Sequence, residues 1–336
     1  MRPFGLAMSH AQSTSVALPV PAETISPSPS IPKSVYFSIT FGMLTGAVAP
    51  ILTSYALSAG APPLVIAAIR LTLAALVVMP FALRQWNEIR SLSRRDLLLV
   101  AFSGIWMALH FVMVVSSLQF VGVLVVSVLV TSSPIWTALV EITVLKTRFT
   151  RFLFFGVAAV ITGNILFALA GDSGGVIGSN PVLGALLAVG AAIAIAMQRV
   201  IGRGVRSRLS LMPFLFLMFG SAAITLQIAL LVTGTPITGY TQDAYMWILL
   251  LTIFPQLIGH SSFNYALRYL PATTISLVIQ VEPIISAAAA LVLFSQFPTP
   301  LQLVGAAVII IGVAIATGGS YLRRLKSNPV AAPTGD

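Results

Sequence analysis

Apolar residues occur in this chain in runs too long for the core of a soluble domain. About ten of them can span a bilayer, near residues 35–57, 63–83, 97–118, 121–144, 152–171, 181–199, 211–233, 245–267, 271–294 and 300–322. Each approaches the roughly 20 helical residues that cover a hydrocarbon layer about 30 Å thick. Several connections are very short, so consecutive helices are predicted to be antiparallel neighbours.

The polar positions divide in the same way. Arg2 and Lys33 precede the first run; Arg84, Arg90, Arg94 and Arg95 follow the second; Lys146, Arg148 and Arg151 follow the fourth. Arg199, Arg203, Arg206 and Arg208 follow the sixth, Arg268 the eighth, and Arg323, Arg324 and Lys326 the tenth. The alternate links, near Ser58–Pro62, Gln119–Phe120, Gly171–Asn180, Gly234–Asp243 and Ser295–Thr299, hold no Lys or Arg. Every basic residue but Arg70 therefore falls on one side, which the positive-inside rule makes the cytoplasm, with both termini there.

Composition agrees. Of 336 residues 57% are hydrophobic and 8% charged, against about 25% charged in a soluble domain. The expected class is an all-α, multi-pass protein of the cell membrane, with the lipid bilayer as its first partner. The net charge of +10 is spread in short clusters between apolar runs rather than gathered into a patch, which argues against nucleic acid. The absence of cysteine excludes disulfides and thiolate metal sites. Residues 1–33, with Ser13-Thr-Ser and Ser26-Pro-Ser-Pro-Ser30 but no apolar core, read as a disordered tail rather than a signal peptide, and residues 325–336 as a second tail.

A shift of 149 positions superposes the fourth and fifth runs on the ninth and tenth. Leu118 falls on Leu267, Ser127 on Ser276, Pro134 on Pro283, Ala138 on Ala287, Thr150 on Thr299, Gly156 on Gly305 and Gly163 on Gly312, without a gap. Two five-helix repeats, 34–173 and 174–324, follow. Five is odd, so the second must enter the membrane inverted, and in such folds the substrate site tends to lie at the midplane between the halves.

These residues resemble a known group. Pro63 through Arg70 is similar to the second helix, Glu282-Pro283 with Ala287 to Ala290 to the ninth, and Gly305-Ala-Ala-Val-Ile-Ile-Ile-Gly312 to the tenth, of the EamA family in the drug/metabolite transporter superfamily. The resemblance implies a ten-helix transporter of two inverted repeats with cytoplasmic termini, usually exporting small metabolites, some members carrying amino acids. Family members often have an acidic residue just after the fourth and ninth helices; this chain has Thr147 and Gln296 there, and no role is carried over to them.

Polar residues inside the runs are the candidate site. Glu282 lies about 17 Å along the run from Pro271 to Phe294, where an unpaired carboxylate costs several kcal/mol and so marks a cavity or a helix contact. Pro283 frees the carbonyl of Ile279, and Pro134 supplies the same break in the fourth helix, beside Ser132 and Ser133. The two kinks are either a gate or a static bend. Trp106 and His110 in the third helix, and Gln256, His260 and Asn264 in the eighth, are spaced by four, which predicts one helix face for each set. The repeat shift sets His110 beside position 259, one residue from His260. Such a histidine pair suits substrate binding or proton handling, or else merely joins neighbouring helices. Arg70 is expected either to snorkel outward or to hold an anionic group such as a carboxylate. Glu141 is expected to partner the cluster Lys146 to Arg151.

Gly156 and Gly163, and Gly305 and Gly312 with Ala316, form two smooth helix faces. They serve packing within the chain or, alternatively, a homodimer. No cofactor, metal site or catalytic residue is indicated: Gly-x-x-x-x-Gly-Lys-Ser/Thr, His-Glu-x-x-His and Gly-x-Ser-x-Gly are all absent. The expected function is secondary transport of a small-molecule substrate by alternating access, with export the implied direction and amino acids or amphipathic drugs among the candidates. A facilitative or exchange carrier is the alternative. An intramembrane enzyme using His110, His260 and Glu282 is remote. With Arg70 the only Lys or Arg inside a run, a phosphorylated substrate is disfavoured and an uncharged or zwitterionic one preferred.

Overall fold

Proline, glycine and short polar caps set the helix limits, as apolar sequence alone gives a helix no reason to stop. The computed structural model describes residues 31–117, 120–121, 123–146, 150–169, 180–294 and 297–327. The bulk of both tails, most of the link 171–180, and Thr147 and Gln296 lie outside the described residues. The first half contains α1 (Lys33–Gly46), α2 (Ala49–Ser58), α3 (Pro63–Leu83), α4 (Trp86–Ser91), α5 (Arg94–Ser117), α6 (Val123–Val130), α7 (Ser133–Leu145) and α8 (Arg151–Leu169). The second contains α9 (Pro181–Arg206), α10 (Leu211–Thr233), α11 (Gln242–Leu251), a π-helical segment Thr252–His260, α12 (Ser261–Ala266), α13 (Ala272–Ile279), α14 (Glu282–Phe294) and α15 (Pro300–Ser327). The described residues are helices and connections, with no strand among them.

Local chemistry explains these limits. α3 and α9 begin with proline at the first turn, where no backbone donor is needed. Asn180 caps α9 by accepting from the Leu183 N–H, and Thr241 caps α11 by accepting from the Ala244 N–H. Gly234 closes α10 at φ 65°, a left-handed turn that glycine adopts without strain.

Among the described residues nine helical stretches are long and apolar enough to cross a membrane, and a further one, Arg151–Phe167, is apolar but shorter. Among the described residues three of the apolar runs are broken rather than continuous. The first bends at Ala47–Val48, ahead of Pro50, into α1 and α2; the fourth and ninth break ahead of Pro134 and Pro283 into α6 and α7 and into α13 and α14. The eighth keeps its course through Pro255 only by widening into the π-helical segment.

The halves interlock: α3 packs on α10, α5 on α9 and α10, α7 on α9 and α13, and α8 on α15. Leu71, Met107, Phe214, Met218, Phe219 and Leu226 are buried where α3, α5 and α10 meet. Large apolar side chains such as Leu98, Leu186, Leu231 and Val292 remain exposed outside, the inverse of a soluble surface and suited to lipid. Along the α8–α15 seam, a methyl on Gly156 would come 2.7 Å from the Gly312 carbonyl and one on Gly163 2.7 Å from that of Gly305. The two glycine faces cover each other within one chain, so that surface is not free for a second copy.

Contacts also sort the ends of the helices. At one end the Ser34 and Tyr265 hydroxyls bond at 2.9 Å, Arg208 pairs with Asp96 at 2.9 Å, the Glu88 carboxylate accepts from the Ser210 N–H, and Arg206 donates to the Asn264 and Leu209 carbonyls. At the other, Thr241 donates to the Ala59 carbonyl at 3.0 Å, joining two links without Lys or Arg. Lys33, the link after the second run and those after the sixth and eighth thus share an end, but the basic residues there do not lie wholly beyond the helices. α9 continues to Arg206 instead of stopping near 199, because Val200, Ile201 and Val205 keep its inner face apolar. Arg199, Arg203 and Arg206 are therefore helical residues.

Candidate functional site

Arg70 occupies the third turn of α3 and is 6% exposed. It does not snorkel. Its Nε donates to Gln256 Oε1 at 2.8 Å, and its guanidinium lies 4.8 Å from the centre of the Phe111 ring. The partner belongs to the other half of the chain, so this bond ties α3 to the π-helical segment.

The face drawn from the sequence divides there: Gln256 and His260, in the π-helical segment, both reach the Arg70–Phe111 pair, whereas Asn264, in α12, does not. Gln256 turns to Arg70, and the His260 ring meets that of Phe111 edge to face at 6.0 Å. Asn264 goes elsewhere: its Oδ1 accepts from Gln198 at 3.2 Å and its Nδ2 donates to the His260 carbonyl at 2.7 Å. It is 3% exposed and its hydrogen bonds tie α12 to α9.

His110 on α5 lies beside Phe111, their ring centres 5.3 Å apart, and its Nδ1 donates to the Ala191 carbonyl at 2.9 Å. That bond fixes the ring and leaves Nε2 for another partner. The two histidines are thus brought to one place, on either side of the Phe111 ring and within electrostatic range of Arg70 and Arg199. Trp106, one turn before His110, packs edge-on against Phe102, and its buried indole N–H has no partner among the described residues.

Glu282 opens α14 at the break. Its carboxylate rests against Gly46, where any side chain would collide with it, and interacts with Arg199 across the interior. Arg199 Nη1 donates to Ser276 Oγ at 2.8 Å and reaches Ser133 Oγ at 3.5 Å, so one arginine touches both broken helices. Thr137 donates to Ser276 at 3.2 Å. Most telling is the Gln280 side chain, whose Nε2 donates to the Thr131 carbonyl at 2.7 Å. Residues 131 and 280 are 149 apart and hence repeat mates, and mates that touch must lie on the axis relating the halves. The Pro134 and Pro283 breaks therefore face each other, and the Thr131 carbonyl, left without its helical donor by the break, finds one in Gln280.

Among the described residues Glu141 is bound to Arg203 and the start of α13 rather than to Lys146 or Arg151. Its Oε1 accepts from Arg203 at 2.9 Å and from the Ala272 N–H at 2.8 Å; its Oε2 accepts from the Thr273 N–H at 3.0 Å and the Thr273 hydroxyl at 2.5 Å. The carboxylate caps α13, in the other half, and suits the positive end of that helix.

Arg199 is the residue that sequence reasoning missed. It looks like one more member of the basic cluster at 199–208, and the signal against that reading was the apolar continuation Val200-Ile201 beyond it. With it, two arginines, two histidines and one carboxylate converge beside three helix breaks. His110, Arg199, His260 and Glu282 are half-buried although they belong to helices crossing the interior. No three His, Cys, Asp or Glu side chains come together as metal ligands among the described residues.

The description "EamA-like transporter family" matches residues 33–169 and again 182–318. The chain belongs to the EamA family. That family lies in the drug/metabolite transporter superfamily, and the double match gives this EamA-family chain two repeats and the character of a multi-pass membrane transporter. A solved structure, described as "Crystal structure of protein", superposes with a TM-score of 0.73 at 17% identity, covering 88% of this chain and 100% of its own; at that identity it speaks for the fold alone. No curated protein matches.

Proposed function

We propose that this EamA-family chain is a secondary transporter that exports a small metabolite by alternating access. The observation that carries this reading is the cluster of Arg70, His110, Arg199, His260 and Glu282, drawn from both halves and placed beside the breaks in the first, fourth and ninth helices and the π-helical segment of the eighth. Breaks supply bending points, and inverted repeats that meet on an axis can exchange conformations so that a site between them faces each side in turn. Trp106, Gln256, His260 and His110 bind the substrate, Glu282 couples transport to a proton, and Asn264 supports the site through Gln198. α8, which at 19 residues spans about 28 Å, completes ten crossings as two five-helix repeats. The arginine-rich end and both termini lie in the cytoplasm, and the membrane is the cell membrane. Amino acids and amphipathic drugs are the substrates to test first.

Counterflow in proteoliposomes tests the proposal. Vesicles loaded with an unlabelled candidate should take up its labelled form transiently above equilibrium, with saturation. Uptake that rises linearly with concentration and ignores the internal pool would contradict a carrier.

A further inference from the structure

Arg70 carries the clearest unmet chemistry in the molecule. Among the described residues its hydrogen-bond partner, the Gln256 amide oxygen, and the ring beneath it, that of Phe111, are both neutral. The ion pairs among the described residues are Arg203 with Glu141 and Arg208 with Asp96, so no carboxylate lies within ion-pair distance of Arg70 there. The other interior arginine of the cluster, Arg199, faces Glu282. A buried arginine lacking an opposite charge is strongly unfavourable, and membrane proteins keep such groups where they act.

A second observation points to the same spot. Gln256 is 0% exposed, and its Nε2 has no hydrogen-bond partner among the described residues. Because Oε1 accepts from Arg70, the amide cannot be turned around to hide that donor: the flip would set N–H against N–H. One buried charge and one orphaned donor thus sit side by side on elements from opposite halves, with an aromatic ring over the guanidinium. A ligand with a single negative, acceptor-only group would satisfy both.

We propose that Arg70 and Gln256 form a carboxylate subsite. The terminal N–H groups of the guanidinium and Nε2 of Gln256 donate to the carboxylate oxygens of the transported molecule, and Phe111 covers the apolar carbon next to them. The charges inside fit one carboxylate better than a phosphate, since Arg199 donates to Ser276 and lies within electrostatic range of Glu282, leaving Arg70 as the single cation at this spot. The assignment rests on the transporter reading above and narrows its substrate to a monocarboxylate, alone or as part of a zwitterion.

The test is thermal unfolding of the purified full-length chain with 3-phenylpropanoate, its neutral isostere 3-phenylpropanamide, and chloride. The carboxylate should raise the melting temperature with an apparent affinity at least tenfold better than the amide, and chloride should neither stabilise nor compete. Arg70→Met should abolish the response while leaving the ligand-free melting temperature equal or higher, since it removes an unmatched charge. Gln256→Leu should weaken the response about tenfold. Equal stabilisation by acid and amide, a full response in Gln256→Leu, or a lower ligand-free melting temperature in Arg70→Met would each overturn the subsite. So would chloride acting as well as the acid in an Arg70-dependent way. Counterflow separates this from the wider reading: saturable transport of a candidate, undiminished in Arg70→Met, removes the subsite and leaves the transporter.

Discussion

Gly46 and Glu282 show how one missing side chain makes room for one charge. A methyl on Gly46 would collide with the Glu282 carboxylate, so Gly46→Ala should push the carboxylate from its place near Arg199 and reproduce the transport defect of a Glu282 variant without touching the acid itself. If Glu282 cycles between ionised and protonated forms, Glu282→Gln should lose accumulation driven by an imposed pH gradient yet keep exchange, which needs no net proton movement. Flux measured with and without the gradient checks both variants; gradient-driven uptake equal to that of the unsubstituted protein in Glu282→Gln leaves the residue structural. Glu282 was legible in the sequence because a carboxylate inside an apolar run is conspicuous. Arg199 was not, because a basic residue a few positions from Arg203, Arg206 and Arg208 looks like the flank of a helix until the helix is seen to continue. Arg70 was legible as an intramembrane charge, but whether it reached outward or inward depended on Gln256, 186 positions away.

At the scale of elements, prolines announced the breaks and glycines announced the seam, since each acts locally: proline removes a helical donor and glycine removes a side chain. The π-helical segment was illegible for the opposite reason. Spacing by four assumes an α-helix throughout, and nothing in the run announces that its turns widen at Thr252–His260. Glu141 belongs to the same lesson, as its position near basic residues suggested an ion pair nearby, whereas most of its hydrogen bonds go to the start of α13. Removing it leaves those donors and Arg203 unmatched, so Glu141→Ala should cost about 3–5 kcal/mol and Glu141→Gln distinctly less. Unfolding in mixed micelles measures this, and an unchanged Glu141→Ala would show that the cap contributes little. Across the α8–α15 seam, Gly163→Leu should force the helices apart and lower stability by a few kcal/mol. The same change at Gly204, with open space around it, should be nearly neutral.

For the whole molecule the charge distribution carried most of the information. Alternate links hold the basic residues, and the structure joins those links at one end through Arg208 with Asp96 and Ser34 with Tyr265. Because the chain has no cysteine of its own, introduced ones report topology directly. Thr238→Cys should react with an impermeant thiol reagent on intact cells, whereas Ser91→Cys and Ser207→Cys should react only after lysis; labelling of Ser207→Cys on sealed cells would reverse the orientation. The relation between the halves was legible as a 149-residue shift, but their meeting on a common axis emerged only from the Gln280 bond to Thr131.

Alternating access is the centre of this account, and one accessibility measurement addresses it without a known substrate. His260→Cys, placed in oriented proteoliposomes, is exposed to an impermeant thiol reagent from either side, alone and combined with Glu141→Gln. In this account the cysteine reacts from both sides, and weakening the Glu141 cap at the arginine-rich end speeds labelling from that end several-fold while slowing it from the other, because opening one side closes the other. A cysteine that reacts from neither side, or whose two rates rise together as in an open channel, would contradict it.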